Sequence, residues 1–600
     1  MTPYHQAAQS LRENDEQWAA YESPGNCVVL AGPGSGKTKV LTIKMARTIA
    51  EGIRPPSSLA CVTYNNECAR ELRARLGELG VDEADGVFVG TLHGFCLRHV
   101  VGAFAHLTNA AIPTPLRVAS DRIVLSTIGE AAQNLRQCGL PEYMRPDIEK
   151  FRRLALDRTP EEGWEVGDRM TDLCVEYERL LLRKGYVDFD GIVYTALHLI
   201  EEHDFVRRCL AARFPVLFVD EYQDLGAALH RMVSKLCFDV GVRLFAVGDP
   251  DQSIYGFTGA RPELLRDLAV DDRVETVQLR LNYRSGTSIV AASKAVLGEP
   301  RTYTAKSDAS GVIDFHKCSG GIEGQVDVLV STVLPDLLAR YAAGEIVVLH
   351  FGWWEGDQIE NALGRSEVEY VRLGRTAAYP KTPLTRLIEE FASWAAGGWR
   401  TGSPRVSRLL SRWSSLLGVR DPGESREHGL RVARFLLEHR DDGEGLAGPW
   451  LRELEQRLVL ADRTQQRLAD NGHAEALEGL LQVTQAGERL EDFTVANLGG
   501  QVGSPQHVNV LTLHSSKGRE FDAVVIVGAD EGRLPHYRSL DDAEKVREAR
   551  RLFYVGLSRA RHEVRLMYSP RMPGNKHHRG PSRFVEEVRD ELSARQDCGR

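Results

Sequence analysis

The stretch NCVVLAGPGSGKT, Asn26–Thr38, carries a short apolar run into a glycine-rich turn that ends in Gly36-Lys37-Thr38. That order describes a buried strand feeding a phosphate-cradling loop and a helix N-terminus, where backbone amides and the helix dipole favour anionic oxygens. Ala31 stands where the strict pattern has glycine, and Gly32, Gly34 and Gly36, with Ser35 among them, still let the backbone turn. Lys37 is expected to set a point charge on the β- and γ-phosphates, and the Thr38 hydroxyl to complete a magnesium shell. A nucleoside triphosphate bound with Mg2+ and hydrolysed is the chemistry this loop predicts.

Around that loop lies more chain than one hydrophobic core normally serves: 600 residues, 42% of them apolar, so two or more domains are expected. Short apolar runs at 27–31, 59–63, 87–90, 216–219 and 243–247 predict buried parallel strands, with amphipathic helices between them. A second set at 346–350, 368–372, 508–513, 523–527 and 563–567 predicts a second α/β domain with a parallel sheet. Two long helical stretches, 97–187 and 376–505, interrupt the sets and read as inserted subdomains. The second holds Trp394, Trp399, Trp413 and Trp450 at helical spacing, which favours core packing over base stacking. Arg440–Gly448 (RDDGEGLAG) marks a loop within it.

A net charge of -9 confines any nucleic-acid surface to a local groove, because counterion release needs lysines and arginines facing phosphates. The ten cysteines, among them Cys27, Cys61, Cys68, Cys96 and Cys237, include no C-x-x-C pair and predict small buried hydrophobes, not a metal or disulfide framework. The opening MTPYHQAAQSLREN lacks the basic-then-apolar order of a secretory signal, and no run approaches the ~20 apolar residues of a membrane span. A cytoplasmic protein without membrane contact is the expectation.

Further along, Val216–Asp224 reads VLFVDEYQD, an apolar strand delivering two carboxylates at its C-terminal end, where α/β sheets hold their ligands. Asp220 can hold Mg2+ through its water shell, and Glu221 can orient and deprotonate the attacking water. A helix-capping acid pair is the plainer alternative. Leu244–Ala260, LFAVGDPDQSIYGFTGA, is another strand running into a glycine-rich loop. There Gln252 is placed to sense the γ-phosphate, and Tyr255 and Phe257 follow as faces on which bases stack without regard to sequence.

The ordered set LACVTYNNECARELRAR (59–75), VGTLHGFCLRHV (89–100), VDEYQD (219–224), GDPDQSIYGFTGA (248–260), LNYRSG (281–286), VLTLHSSKGREFDAVVIVGADEGRLP (510–535) and EARRLFYVGLSRA (548–560) resembles the UvrD/Rep-like superfamily 1 DNA helicases. The resemblance spans both α/β halves and fades in the insertions. It implies two RecA-like P-loop domains, the first over 1–96 and 188–280, the second over 281–375 and 506–600. Helical insertions at 97–187 and 376–505 complete the division. ATP is implied between the two domains, and single-stranded DNA across their tops. Residue by residue, it implies that Gln17 reads the adenine edge, Tyr283 stacks on the adenine, and Glu520 lies near the ribose and phosphates. Arg284 and Arg559 resemble the paired arginines that reach the γ-phosphate from the second domain, so that hydrolysis depends on cleft closure. Tyr64, Asn65, Thr91, His93, Tyr255, Phe257, Thr512 and His514 match positions that contact the strand.

The chain also departs from the pattern. Thr258 stands where arginine is usual, Arg519 where leucine is usual, and no acidic and basic run follows Leu373-Gly374 to open the second insertion, which is shortened. His577-His578-Arg579 reads as a solvated loop. The resemblance implies an ATP-dependent single-stranded DNA translocase and helicase moving 3′ to 5′, acting on single-stranded and tailed duplex DNA. The shortened insertion motivates an alternative, a motor subunit that feeds a separate nuclease in repair or anti-phage defence. An inactive scaffold is the reading from another class, against which Lys37, Asp220, Glu221, Gln252, Arg284 and Arg559 all stand intact.

Overall fold

A computed structural model describes residues 3–81, 86–107, 112–113, 116–299, 301–366, 368–372, 379, 382–401, 404–419, 421–460, 464–470, 473–488, 490–491, 493–499, 507–570 and 580–598. Leu373-Gly374, the boundaries expected at 375/376 and 505/506, His577-His578-Arg579 and the side chain of Phe257 lie outside that description.

The chain forms two compact units, the first comprising Met1–Val312, Leu534–His562 and Arg583–Arg600, the second Ile313–Arg533 and Glu563–Ser582. In the first, β1 (Cys27–Ala31), β2 (Leu59–Thr63), β3 (Val87–Thr91), β4 (Val216–Val219), β5 (Arg243–Gly248) and β6 (Glu275–Leu279) make one parallel sheet in the order β3-β2-β4-β5-β1-β6. Alternation along the strands serves two cores at once. Cys27, Val29, Leu59, Cys61, Val216 and Phe218 pack on one face, while Val28, Ala60, Val62, Leu217 and Val219 pack on the other. A strand with both faces covered reads as an unbroken apolar run.

A short parallel pair, β7 (Leu281–Asn282) with β8 (Thr304–Ala305), continues the first unit beyond β6. Residues 281–312, 534–562 and 583–600, expected with the second domain, cluster with the first unit. Packing explains it: the helix Thr287–Leu297 lies against the helices Ala543–Leu557 and Arg583–Cys598, and Arg550 pairs with Glu587 while donating to the Val296 carbonyl. The first insertion is helical, with its own core of Ile128, Ile148, Trp164, Leu173 and Tyr177. The buried Arg152 guanidinium ties it to the sheet domain by gripping Asp188 at 2.5 and 3.1 Å, beside the Tyr177 hydroxyl, which donates to the same carboxylate at 2.9 Å.

The second unit is built on β9 (Val312–Lys317), β10 (Ile346–His350), β11 (Tyr370–Arg372), β12 (Val508–Thr512), β13 (Phe521–Ile526) and β14 (Ala560–Tyr568), in the order β11-β12-β10-β13-β14-β9. β11, β12, β10 and β13 run parallel. The described residues of the second insertion are mainly helical around Phe391, Trp413, Phe435 and Trp450. Trp394, Trp413 and Trp450 are buried as core packing requires, but Trp399 is 37% exposed and lies against Arg400 and Arg440. Of the loop expected over Arg440–Gly448, residues 440–446 are non-helical, while Ala447 and Gly448 open the helix Ala447–Leu454. Among the named cysteines Cys27, Cys61, Cys96 and Cys237 are buried and Cys68 is half-buried, whereas Cys138 and Cys209 are exposed. No helix among the described residues is long and apolar enough to cross a membrane.

Candidate nucleotide and nucleic-acid sites

β1 ends at Ala31 and the helix Lys37–Gly52 begins after Gly36, so the five residues between them form the loop. Gly34 and Gly36 adopt φ of 68° and 86°, the left-handed region that a Cβ resists. The space is closed as well: a Cβ on Gly34 would sit 2.7 Å from Asn282 Oδ1, and one on Gly36 2.7 Å from Gln17 Nε2. Ser35 Oγ donates to the Gly32 carbonyl at 2.7 Å and Lys37 Nζ to the Ala31 carbonyl at 3.0 Å, so loop and lysine are held at the end of the sheet. The ring of Tyr303 lies 3.3 Å from where a Gly32 Cβ would stand, a neighbour without a motif to announce it.

The acid pair follows β4. Asp220 is buried, with its amide donating to the Val62 carbonyl at 2.9 Å. Burial raises its carboxyl well above the usual range, the neighbouring Glu221 raises it further, and Lys37 draws it down. A buried carboxylate short of positive charge suits a cation. Among the described residues no cluster of three or more His, Cys, Asp or Glu could hold a metal, so a Mg2+ at this acid would draw most of its shell from phosphate oxygens, a hydroxyl and water. Glu221 adopts φ 50°, ψ 47°, a left-handed backbone rare for a residue with a side chain, and accepts a hydrogen bond from Gln223 Nε2. Gln223 Oε1 in turn accepts from the Asp249 amide at 3.0 Å.

From Asp249 a chain of hydrogen bonds runs round the loop. Gln252 Nε2 donates to Asp249 Oδ2 at 2.6 Å, and Arg559 Nη2 donates to Gln252 Oε1 at 3.2 Å and to Ser558 Oγ at 3.0 Å. Arg284 Nη1 donates to the Ser558 carbonyl at 2.9 Å, and the Arg284 amide to Asn282 Oδ1 at 2.8 Å, the oxygen that faces Gly34. Both arginines therefore belong to the compact unit that holds Lys37. Asp249 is fully enclosed, and burial lifts its carboxyl to about 6 against the pull of Lys37. Gln223, Asp249, Asn282 and Ser558 escaped the sequence reading as functional residues. All four sit inside quoted motifs, where the neighbouring acids, aromatics and arginines drew the assignment and these short polar side chains did not.

At the rim, Gln17 is buried and donates from Nε2 to the Ser35 carbonyl at 2.8 Å. Tyr283 is 39% exposed, its hydroxyl accepting from Asn14 Nδ2 at 3.0 Å and its ring facing Lys306 Nζ at 4.8 Å. Its amide donates to the Gly34 carbonyl at 2.8 Å, which sets the ring beside the loop.

Of the strand-contacting candidates, Tyr64 and Tyr255 stack at 4.4 Å with their planes 22° apart, at the C-terminal side of β2 and β5. Asn65 and Thr91 use their side chains as helix caps, accepting from the Cys68 amide at 2.8 Å and the Gly94 amide at 3.2 Å. His93 meets Phe189 edge-on at 5.6 Å, and burial holds its imidazole below the usual range. Where arginine is usual, the Thr258 carbonyl accepts from Arg153 Nη1 at 3.2 Å, and Arg153 also pairs with Asp190. A guanidinium from the first insertion thus occupies the neighbourhood of the missing one. Thr512, His514 and Glu520 belong to the second unit. Thr512 Oγ1 accepts from the Ser515 amide at 3.1 Å, burial lowers the His514 pKa, and Glu520 is exposed.

Residues 13–271 match the UvrD/REP helicase N-terminal domain and residues 452–571 the UvrD-like helicase C-terminal domain. DNA helicase II of Escherichia coli (strain K12) is 27% identical, across 96% of this chain and 87% of its own. ATP-dependent DNA helicase Rep of the same organism is 26% identical, across 98% and 96%. ATP-dependent DNA helicase PcrA of Bacillus subtilis (strain 168) is 24% identical, across 96% and 85%. With the phosphate loop, the acid pair and the two arginines gathered in one unit, and with both matched domains in chain order, the protein belongs to the UvrD/REP helicase family.

Proposed function

We propose that this protein is a DNA-dependent ATPase that moves along single-stranded DNA in the 3′ to 5′ direction and separates duplexes carrying a 3′ tail. The observation that carries the reading is the chain of hydrogen bonds from Asp249 through Gln252, Arg559, Ser558 and Arg284 to Asn282, whose Oδ1 faces Gly34. It sets two guanidinium groups and the Asp249 carboxylate in the unit that bears the lysine loop.

In this reading ATP binds with its β- and γ-phosphates on the loop amides and Lys37, Gln17 at the adenine edge and Tyr283 against its face. Mg2+, held by Thr38 and Asp220, neutralises charge on the phosphate oxygens when bound. Glu221 takes the proton of the attacking water. Arg284 and Arg559 stabilise the charge that develops on the equatorial oxygens, a contribution of ~10³ to 10⁵ in rate. Gln252 bonds both Arg559 and Asp249 and lies three residues before Tyr255, so a change at the γ-phosphate is transmitted along one short segment to the stacked Tyr64–Tyr255 pair. Tyr64, Asn65, Thr91, His93, Tyr255 and Phe257 line the DNA path in the first unit, and Thr512 and His514 in the second; Glu520 acts at the ribose.

The test measures ATP hydrolysis and strand displacement on 3′-tailed, 5′-tailed and blunt duplexes. Stimulation by single strands, displacement confined to the 3′-tailed substrate, and loss of both in Lys37→Ala are expected. Hydrolysis in Lys37→Ala equal to that of the unaltered protein overturns the site, and preference for the 5′-tailed substrate overturns the polarity.

A further inference from the structure

We propose that Trp353 and Trp354, just beyond β10 in the second unit, form a base-stacking platform for single-stranded DNA. The inference rests on the DNA-motor reading above and adds to it a contact that no motif assigns. After His350 the chain passes Phe351 and Gly352 and enters the helix Trp353–Leu363. β10 and β12 are parallel neighbours with His350 opposite Thr512, and the Leu513 amide donates to the His350 carbonyl at 3.0 Å. The two tryptophans therefore leave the sheet at the same edge as Thr512 and His514, the carboxyl end of parallel strands where such sheets bind ligands.

Their exposure sets them apart. Trp353 is 54% and Trp354 48% exposed, whereas Trp394, Trp413 and Trp450 of the same unit are at most 7% exposed and Trp399, at 37%, stands alone. Two adjacent indoles, each about half exposed, suit a partner that covers flat apolar faces. The backbone beneath them is held at two points. Glu355 accepts from the Gly352 amide at 3.1 Å and pairs with Arg533, and Arg372 Nη2 donates to the Trp353 carbonyl at 3.3 Å. Both rings are thus carried on a fixed helix start, which limits the ordering cost of binding.

The surroundings favour a nucleic-acid strand over an apolar peptide. The Arg533 guanidinium lies 5.3 Å from the Trp354 ring centroid, and the Thr512 and Ser515 hydroxyls, 2.8 Å apart, follow β12 at the same edge. The guanidinium is shared with Glu355 and Asp530, so the ring faces and hydroxyls carry the match to a strand running past with its bases stacked, a recognition that is indifferent to base sequence.

The experiment measures binding of the full chain to a fluorescently labelled oligothymidylate and to an abasic strand of the same length at fixed salt. Replacing both rings, Trp353→Ala with Trp354→Ala, is expected to weaken oligothymidylate binding by about 5- to 100-fold per lost stack while changing abasic-strand binding far less. Trp353→Phe with Trp354→Phe should retain most of the affinity and reports on the same backbone if the alanine variant fails to fold. Equal affinity of the unaltered and alanine proteins for oligothymidylate, or equal losses on both strands, overturns the platform and leaves the motor reading standing. Failure of the unaltered protein to bind either strand overturns the motor reading itself.

Discussion

In the proposed reading Lys37, Glu221 and Arg559 serve one triphosphate in different ways, and their substitutions separate those ways. Glu221→Gln keeps the side chain's shape and its contact with Gln223 while removing the proton acceptor. ATP binding is expected to persist with turnover reduced at least ~10²-fold, the scale of general-base loss, as measured by nucleotide binding beside single-turnover hydrolysis. Arg559→Ala removes a buried guanidinium that bonds Gln252, the Val555 carbonyl and Ser558. It should lower kcat by ~10³-fold or more with a smaller change in KM for ATP, because the group acts on charge that appears only in the transition state. A loss confined to KM would assign Arg559 to ground-state binding instead. At this scale the sequence was most informative: Lys37, Asp220, Gln252, Arg284 and Arg559 converge in one unit from positions hundreds of residues apart. Tyr303 was illegible, because closing a loop from behind takes only a flat ring at the right distance, which can arise from many local sequences.

Strands buried on both faces announced themselves, whereas two of the four edge strands of the six-stranded sheets, β6 and β9, did not. β6 reads ETVQL with only Val277 and Leu279 buried, and β9 reads VIDFHK with no buried residue, so neither presents an unbroken apolar run. The helices of the first insertion meet the sheet domain through charge as well as apolar packing. Asp188 accepts from Arg152 and Tyr177 and also caps the helix Phe189–Glu202 through the Gly191 amide at 2.8 Å. Asp188→Ala leaves a buried guanidinium with only Glu178 to answer it and strips the cap, so a loss of about 3 to 5 kcal/mol in urea unfolding is expected. Asp188→Asn, which keeps the capping oxygen, should lose less. Equal losses would mean that the cap contributes nothing.

Over the whole molecule, the two units carry separate cores, and the second insertion adds one built on Phe391, Trp413, Phe435 and Trp450. Trp413→Ala opens a cavity in that core at a cost of ~3 to 5 kcal/mol. Calorimetry should show the transition of the second unit moving to lower temperature while a nucleotide-stabilised transition of the first unit stays in place. A shift of both together would mean that the cores melt as one. The division into α/β and helical parts was readable from strand spacing, but the membership of residues 281–312 and 534–562 was not. Their grouping depends on contacts such as Ser285 Oγ donating to the Ala560 carbonyl at 2.7 Å, between positions that no local pattern connects.

The left-handed backbone at Glu221 has an effect on endurance. Holding a side-chain-bearing residue at φ 50° costs on the order of 1 kcal/mol or more, and glycine adopts that conformation without penalty. Burial of Asp220 next to a second acid adds electrostatic tension, which removing the Glu221 carboxylate relieves. Glu221→Gly should therefore be inert toward ATP yet survive heating better than its parent, with the melting temperature raised by a few degrees. Such an inert but hardier protein would identify thermal robustness as what the chain forgoes in order to hold a carboxylate at that position.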